Sequence, residues 1–275
     1  MRLRILHETT YRYAHPATRA IQGLKLTPRG HDGQFVVNWR IDVDHDCRLE
    51  AATDPFGNTA HAFTVEGPLG GLVITAEGEV ETQDTQGIMH GQVERFPPVI
   101  YLRDTNLTIS DAAIRHFADT IVTETGPDRL AILHGLMAAI RARLVFNVDA
   151  TDTGTSAVEA FALGHGVCQD FAHIFIAAAR YLGIPARYVS GYLFRADKTH
   201  GQEAGHAWVE ALVEEVGWIA FDPTNDICAT EAYVRLAIGL DYLGAAPIRG
   251  TRYGGSGETL AVRILIGEAA RAHHR

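Results

Sequence analysis

The chain has 275 residues, of which 47% are hydrophobic and 21% are charged, and its formal net charge at pH 7 is −9. This composition is ordinary for a soluble globular protein, and the length allows one large domain or two. The acidic balance argues against nucleic acid as the main partner, because phosphate binding requires a basic surface.

The sequence carries no sign of a targeting or membrane segment. Its first residues lack an apolar stretch of signal-peptide length, and no apolar run reaches the roughly 18 residues that a membrane helix needs. With only Cys47, Cys168 and Cys228, a disulfide framework is not expected. We therefore predict a cytoplasmic protein that has no membrane partner.

The first third of the chain is rich in short β segments. The clearest is the alternation of apolar and polar residues from Phe35 to Val43. Several short strands between glycine and proline turns indicate a β-sandwich-like module. A linker is expected over 82–98, so the predicted domains are 1–98, with the linker, and 99–275. The strands predicted in this module cover residues 3–13, 20–27, 35–43, 59–66 and 72–80.

Helix signals begin after the linker. Ser110 with Asp111 is typical of an N-cap, and Pro127 with Asp128 opens a second helix that extends to about residue 144. Ser156 begins a capping box before a short third helix. Helices first and strands afterwards indicate an α+β fold. After a fourth helix, which begins at residue 168, strands are predicted at 186–194, 206–213, 218–221, 233–238 and 260–266.

A cysteine lies at the point where a loop becomes the fourth helix. Gly164 and Gly166 allow a tight turn, and the apolar residues from 171 to 182 have helical spacing that ends at Gly183. Cys168 therefore lies in the first turn, where free N–H groups and the helix dipole favour an anion. Because the thiolate is the nucleophilic form of cysteine, this position predicts a reactive thiol.

Two further residues complete a nucleophile, base and orienting group. His206 begins one predicted strand and Asp222 ends the next, so a hairpin can place the two side chains next to each other. A thiol nucleophile needs a base beside it and a third group that holds the base in orientation and tautomer. The sequence therefore predicts Cys168, His206 and Asp222 as a catalytic set.

Three motifs carry a family resemblance: Gly-x-Cys-x-Asp-Phe-Ala, then His-Ala-Trp-Val-Glu, then Gly-Trp-x-x-Phe-Asp-Pro-Thr. In this order they resemble the transglutaminase-like cysteine superfamily, and more closely its bacterial members that have their own N-terminal β domain. The resemblance implies a papain-like core in which the cysteine opens a helix and the histidine and aspartate lie on adjacent strands. It implies the same three catalytic residues.

The predicted function is thiol-dependent hydrolysis of amide or peptide bonds through an acyl-enzyme on Cys168, with a peptide or protein amide as substrate. The same residues also support transglutaminase-type transfer of the acyl group to an amine. The resemblance to bacterial members of this architecture implies hydrolysis. A second alternative is an inactive transglutaminase-like scaffold used for binding, and the presence of all three candidate residues favours an enzyme instead.

Other residues are predicted to line the site. The backbone N–H of Cys168 and the side chain of Asn147 are candidate donors to the oxyanion. Gln169, Asp170 and Trp208 are further candidates for the site lining, and Asp170 has two open interpretations: it tunes the site, or it only complements the helix dipole. A polar loop over 197–204 is expected near the site.

No cofactor or metal is predicted. His165, Cys168 and His173 lie close together in sequence, but their spacing fits no four-ligand zinc template. The acidic residues at 42, 44 and 46 imitate the start of a calcium loop. Position six of that loop is occupied by Cys47 and position twelve by Thr53, where glycine and glutamate are needed. We interpret the acidic residues as the solvent face of a strand.

Overall fold

The fold is described from a computed structural model that covers residues 1–195, 201–202 and 204–269. A short 3-10 helix spans Pro98–Leu102. The α-helices of these ranges are α1 (Ala112–Thr125), α2 (Arg129–Arg143), α3 (Ala157–Leu163), α4 (Cys168–Tyr181) and α5 (Tyr242–Ala245). Their strands are β1 (Arg2–Thr27), β2 (Gln34–Val43), β3 (Glu50–Thr53), β4 (Thr59–Thr82), β5 (Ile88–Met89), β6 (Val145–Phe146), β7 (His165–Gly166), β8 (Ala186–Leu193), β9 (Gly201–Gln202), β10 (His206–Val213), β11 (Gly217–Asp222), β12 (Ile227–Cys228), β13 (Tyr233–Gly239) and β14 (Ile248–Glu268).

The first sheet is antiparallel and has the order β2-β4-β1-β14-β9, with β3 paired to β4. Its two long strands each join segments that the sequence predicts as separate: 3–13 with 20–27 in β1, and 59–66 with 72–80 in β4. The pairing of β1 changes register between Ala17 and Arg19. The sequence pattern predicts a turn between the two segments. In the structure the chain continues there as one strand with an irregular register.

The last strand differs from its prediction in partner and length. The sequence places a strand at 260–266 among those of the core, whereas β14 is longer and pairs with β1 from Leu3 opposite Glu268 to Leu24 opposite Ile248. Residues at the end of the predicted 99–275 domain therefore complete the first sheet. The pairing is long-range, and nothing in the local sequence of a strand specifies a partner so distant.

The second sheet has the order β12-β11-β10-β8-β13, with β5 on the open side of β11. Helix α4 packs against β10 and β8, and almost all of its side chains are buried, as in the stacking of Phe175 on Phe221 with ring centroids 5.5 Å apart. Helices α1, α2 and α3 cover the other sides of α4. This arrangement of helices on an antiparallel sheet confirms the predicted α+β class, with a strand-rich N-terminal region.

The predicted helix starts are confirmed by their caps. The Asp111 carboxylate accepts a hydrogen bond from the backbone N–H of Ile114 at 2.9 Å, and the Asp128 carboxylate accepts one from Ala131 at 2.8 Å. Ser156 heads the predicted capping box of α3. Each cap satisfies a backbone donor that the first helical turn leaves free.

The two sheets are joined by buried hydrogen bonds to β13. The carboxamide of Gln34 accepts from the backbone N–H of Arg235 at 2.8 Å and donates to its carbonyl oxygen at 3.0 Å. Asn58 makes the same pair of bonds with Ile238, at 2.9 and 2.8 Å. Because a buried backbone group costs free energy unless it is paired, these amides fix the N-terminal region to an edge strand of the core.

The segment predicted as a linker is packed on the core. Its residues Ile88 and Met89 form β5 and pair with Ile219 and Trp218 of β11. Within the described ranges, no helix combines the length and apolar character that crossing a membrane requires.

Candidate active site

Cys168 is the first residue of α4 and is half-buried. Its position after the N-cap Val167 leaves its backbone N–H free of an intrahelical acceptor. The approach to the helix is tight, because a Cβ on Gly166 would lie 2.6 Å from the carboxylate of Asp170. The close approach explains the glycine at this position, and the thiol has the helix-terminal setting that the sequence predicts.

Asp170 holds the loop and the helix start together. Its Oδ2 atom accepts from the backbone N–H of Val167 at 2.8 Å and from the hydroxyl of Thr151 at 2.6 Å. Burial raises the pKa of the carboxyl group, and the bonds from Thr151 and Val167 partly offset this effect. Asp170 therefore caps the helix and anchors the preceding loop, two structural functions that set the position of the neighbouring cysteine.

His206 and Asp222 meet at one end of the paired strands β10 and β11. The Nε2 atom of His206 lies 2.6 Å from Oδ2 of Asp222. The His206 side chain is 11% exposed, while the Asp222 side chain is fully buried. Because Nε2 is held by the carboxylate, the other ring nitrogen is the one available to a reacting group.

Asp222 is held by neutral donors as well as by the imidazole. The backbone N–H groups of Thr224 and Asn225 donate to Oδ1 at 2.9 and 3.2 Å. The hydroxyl of Tyr233 donates to Oδ2 at 2.7 Å, and the amide of Asn225 donates to the same atom at 2.6 Å. This set of donors fixes the orientation of the carboxylate, and through it the orientation of the His206 ring.

The charges of the site favour the protonated imidazole. Burial alone lowers the pKa of His206, but the Asp222 carboxylate and the Cys168 side chain outweigh it and raise the pKa to about 10. Burial also acts to raise the pKa of Asp222, yet the interaction with His206 and the donors on the carboxylate hold it below its usual value. The thiol thus interacts with a ring that is cationic at neutral pH, which is the condition that stabilises a thiolate.

Trp208, predicted to line the site, and Trp218 of β11 have different surroundings. Trp208 is buried, with its ring centroid 6.2 Å from that of His206 and 5.3 Å from that of Tyr233. Trp218 packs away from this group, against Tyr101 at 5.0 Å and under the guanidinium of Arg187 at 4.0 Å. Trp208 therefore supports the histidine, and Trp218 belongs to the packing of the linker segment.

The proposed oxyanion donor Asn147 lies in the loop before the cysteine and is exposed. Its side-chain oxygen accepts from the backbone N–H of Asp149 at 3.0 Å, so this part of the amide caps its own turn. Gln169, which follows the cysteine, is buried, and its amide donates to the carbonyl oxygen of Asp152 at 3.5 Å. Both side chains are engaged by the loop before α3, and the backbone N–H of Cys168 is the donor that the helix start leaves free.

The residues weighed as metal ligands have other partners. His173 is fully buried in α4, and its Nε2 accepts from the backbone N–H of Tyr242 at 3.1 Å. Asp44 accepts from the backbone N–H of Val73 at 2.8 Å at the end of β2. Among the described residues, no three His, Cys, Asp or Glu side chains are grouped to hold a metal ion. The loop predicted over 197–204 lies mostly outside the described residues.

Sequence reasoning missed Tyr233 and Asn225. Asn225 follows the Asp222 motif by three residues, and an aspartate at the start of a turn is the signal that would have indicated its backbone contact. Tyr233 has no such signal, because it reaches Asp222 from β13 across the end of the sheet. A hydrogen bond between residues on non-adjacent strands depends on the complete sheet order.

The chain is similar in sequence to known proteins. The transglutaminase-like superfamily matches residues 115–223, and the bacterial transglutaminase-like N-terminal region matches residues 3–81. An uncharacterized protein of Mycobacterium leprae is 32% identical over 272 residues, covering 94% of this chain and 95% of that protein. A protein-glutamine gamma-glutamyltransferase of Pseudomonas aeruginosa is 33% identical over 115 residues, which are 38% of this chain and 17% of that protein.

A solved structure has the same fold over nearly the whole chain. The protein, from Cytophaga hutchinsonii and provisionally described as a cysteine protease, superposes with a TM-score of 0.77 at 19% identity. The match covers 98% of this chain and 91% of the other. With the core and the N-terminal region both matched, the chain belongs to the transglutaminase-like superfamily, in the form that carries the bacterial transglutaminase-like N-terminal region.

Proposed function

We propose that this protein is a cysteine hydrolase that cleaves amide or peptide bonds through an acyl-enzyme on Cys168. The observation that carries the proposal is the 2.6 Å hydrogen bond between His206 and Asp222. Asp222 is buried and accepts hydrogen bonds at both of its oxygens, and the His206 ring also interacts with the Cys168 thiol. Members of this superfamily are typically cysteine-dependent enzymes, and a nucleophile, a base and an orienting carboxylate are what acyl transfer needs.

The reaction proceeds in two stages. The sulfur of Cys168 attacks the substrate carbonyl carbon, and the resulting oxyanion is stabilised by the backbone N–H of Cys168. His206 donates its proton to the leaving amine as the carbon–nitrogen bond breaks and the thioester remains. In the second stage His206 accepts a proton from water as it attacks the thioester, which releases the acid and the free thiol.

Water is proposed as the main acceptor because the two tryptophans that could form walls around the thioester pack against other residues. A transferase must favour an amine over water, usually with apolar walls around the thioester. Trp208 is buried with its ring beside those of His206 and Tyr233, and Trp218 packs against Tyr101 on the linker side. Cys168 itself is half-buried, which supports access of water to the thioester.

Amine transfer is the second candidate, and the likeness to the Pseudomonas aeruginosa protein-glutamine gamma-glutamyltransferase favours it. That likeness covers 38% of this chain and 17% of the other protein, so it does not decide which acceptor this chain uses. The acceptor decides between the two activities, so the acceptor must be measured.

The test measures how the acyl-enzyme divides between its acceptors. The protein is incubated with a library of fluorogenic peptide amides, and the best acyl donor is then used with increasing concentrations of a primary amine. We expect free acid to be the main product, with amine at millimolar concentration diverting only a minority of it. If the amide adduct dominates at low millimolar amine, the protein is a transferase.

A labelling experiment separates a poor substrate from the absence of a reactive thiol. Iodoacetamide near neutral pH should modify Cys168 well before Cys47 and Cys228, because burial raises the pKa of both other thiols. The His206→Ala variant should lose this selectivity. Equal labelling of all three cysteines in the folded protein would contradict the proposed nucleophile.

A further inference from the structure

A free strand edge lies next to the candidate nucleophile. Strand β6 (Val145–Phe146) pairs in parallel with β7 (His165–Gly166), and among the described residues these two strands form a sheet of their own. β7 leads through Val167 directly to Cys168. The sheet is therefore an extension of the loop that positions the thiol.

The backbone of β6 bonds to β7 on one side only. The N–H groups of Val145 and Asn147 donate to the carbonyl oxygens of Gly164 and Gly166, both at 2.9 Å. Alternation along a strand directs the N–H and C=O groups of the residue between them, Phe146, to the opposite side. Within the described ranges no backbone group pairs with either, so this side of β6 offers one donor and one acceptor.

The side chains along the same edge are apolar and exposed. Val145 is 56% exposed, Phe146 49% and Val148 67%. Val145 and Phe146 are consecutive, so their side chains face opposite sides of β6, and Val148 follows in the next turn. The intervening Asn147 is neutral, so none of the four residues adds a charge. Apolar side chains beside unpaired backbone groups are the two features by which a sheet edge recognises an extended peptide.

The edge is also held rigidly relative to the thiol. Gly166, which pairs with Phe146, precedes Cys168 by two residues, a span of about 7 Å at the rise of an extended chain. The loop that follows β6 is fixed to the start of α4 by the hydrogen bond from Thr151 to Asp170 at 2.6 Å. A peptide bound to this edge would therefore have a fixed position relative to the sulfur of Cys168.

We propose that β6 is a substrate-binding edge, on which the acyl side of a peptide substrate pairs as an added strand through the backbone of Phe146 and packs an apolar side chain on the exposed ring of Phe146. The inference rests on the proposed function, and it names the substrate class as an extended peptide with apolar residues before the attacked carbonyl. A second copy of this chain is a poor occupant, since a two-residue strand cannot supply the roughly 1,200 Å² of buried surface that stable association requires.

The experiment compares a peptide donor with a donor too small to reach the edge. The peptide probe is acetyl-Ala-Val-Ala-Gln coupled to 7-amino-4-methylcoumarin, and the small probe is 4-nitrophenyl acetate. In the full-length Phe146→Asp variant, we expect the ratio of kcat/KM for the peptide over kcat/KM for the acetate to fall about tenfold, because an apolar contact is lost and a charge faces the peptide. The control is Phe35→Asp, which replaces an exposed phenylalanine of β2 in the first sheet, 64% exposed against 49% for Phe146.

Backbone pairing is tested without changing the protein. Among peptide probes that carry a single N-methyl group at successive residues, one should lose kcat/KM and its neighbours should not, since the carbonyl oxygen of Phe146 accepts from a single N–H of an added strand. Uniform tolerance of N-methylation, together with an unchanged ratio in Phe146→Asp, would overturn the inference even if the enzyme cleaves both probes.

A binding readout keeps the inference separate from the proposed chemistry. In Cys168→Ala, the coumarin-free peptide acetyl-Ala-Val-Ala-Gln-amide should slow amide hydrogen exchange at Phe146. If wild type cleaves no acyl donor but this protection appears, the proposed function fails and the edge stands. If exchange at Phe146 is unaffected by peptide, or falls with protein concentration because two copies pair through β6, the inference is wrong.

Discussion

Asp222 of β11 and Glu210 of β10 are buried carboxylates on adjacent strands of the second sheet, and their hydrogen-bond donors are very different. Glu210 accepts from Arg187 at 2.6 Å and from two nitrogens of Arg235 at 2.7 and 3.1 Å. Asp222 accepts mainly from neutral donors, and among its described donors the one that can carry a positive charge is His206. The first carboxylate has permanent cations as partners, and the second has a partner that can gain or lose a proton.

This difference separates a structural ion cluster from a reactive pair. Burial acts to raise the pKa of Glu210, but Arg235 and Arg187 lower it to about 2, so its charge is fixed at every physiological pH. Arg187 also donates a hydrogen bond to Glu94 at 2.7 Å, so its charge is shared between two carboxylates. His206 and Glu210 are four residues apart on β10, so they face the same side of the strand. The permanently charged cluster around Glu210 therefore lies in the middle of β10, and the group that gains or loses a proton, His206, lies at the end of that strand.

The largest expected effect is on turnover at the reactive pair. Cys168→Ala and His206→Ala should each reduce kcat by about a thousandfold or more, because losses within a coupled nucleophile and base remove the chemical step. The urea midpoint of Cys168→Ala should stay near that of wild type, whereas that of His206→Ala should fall because the buried Asp222 carboxylate loses its cationic partner. Cys228→Ala is the matched control and should retain activity; near-wild-type turnover in Cys168→Ala would disprove the mechanism.

The opposite behaviour is expected at the ion cluster. Glu210→Gln leaves the guanidinium groups of Arg187 and Arg235 buried without a counter-charge, which should cost about 3–5 kcal/mol of unfolding free energy. Urea denaturation measures the loss. Glu66→Gln breaks the exposed ion pair with Arg19 and should change stability by less than about 1 kcal/mol. Equal effects of the two substitutions would mean that the cluster contributes no more than a surface pair.

The pH dependence should move when Asp222 is neutralised. The folded pKa of His206 is raised from 6.5 to about 10, so its contribution to stability is fully present below pH 6.5 and is lost as the pH rises through 10. In Asp222→Asn the burial of His206 dominates and lowers its pKa. The alkaline limb of kcat/KM, near pH 10 in wild type, should shift to lower pH, and stability should decline less between pH 6.5 and 10. An unmoved alkaline limb would assign it to another group.

Tyr233→Phe should give the smallest effect of the series. It removes one of the donors on Oδ2 of Asp222 and leaves the ring packing against Trp208 in place. We expect a reduction of kcat of about tenfold or less, since Asn225 still donates to the same oxygen. Tyr253→Phe, at an exposed position, is the control. A larger loss than in Asp222→Asn would indicate that the hydroxyl acts on the substrate directly.

The local parts of the site could be predicted from the sequence. Helix α4 is specified by signals within a few residues of its ends, from the glycines before Cys168 to Gly183 with its left-handed φ of 73°. His206 and Asp222 lie at the ends of two strands that are consecutive in sequence. Each of these features depends on short-range chemistry, which a single sequence displays.

The remaining parts depend on the order of strands in the sheets. Arg187, Glu210 and Arg235 come from β8, β10 and β13, and only the sheet order brings them together. Pairing between β1 and β14 likewise has no local signal, and Pro16 within β1 suggests an interruption that the structure absorbs. Contacts across strands are set by cooperative packing, so composition and periodicity do not reveal them.

The pairing of β1 with β14 has a consequence for synthesis of the protein. Leu3 leaves the ribosome long before its neighbour Glu268, because the two residues are far apart along the chain. Until then the central strand of the first sheet has an open edge, with buried positions such as Ile5 exposed to other chains. Productive folding therefore requires that this edge be shielded during translation, and slow elongation before β14 is made should increase aggregation.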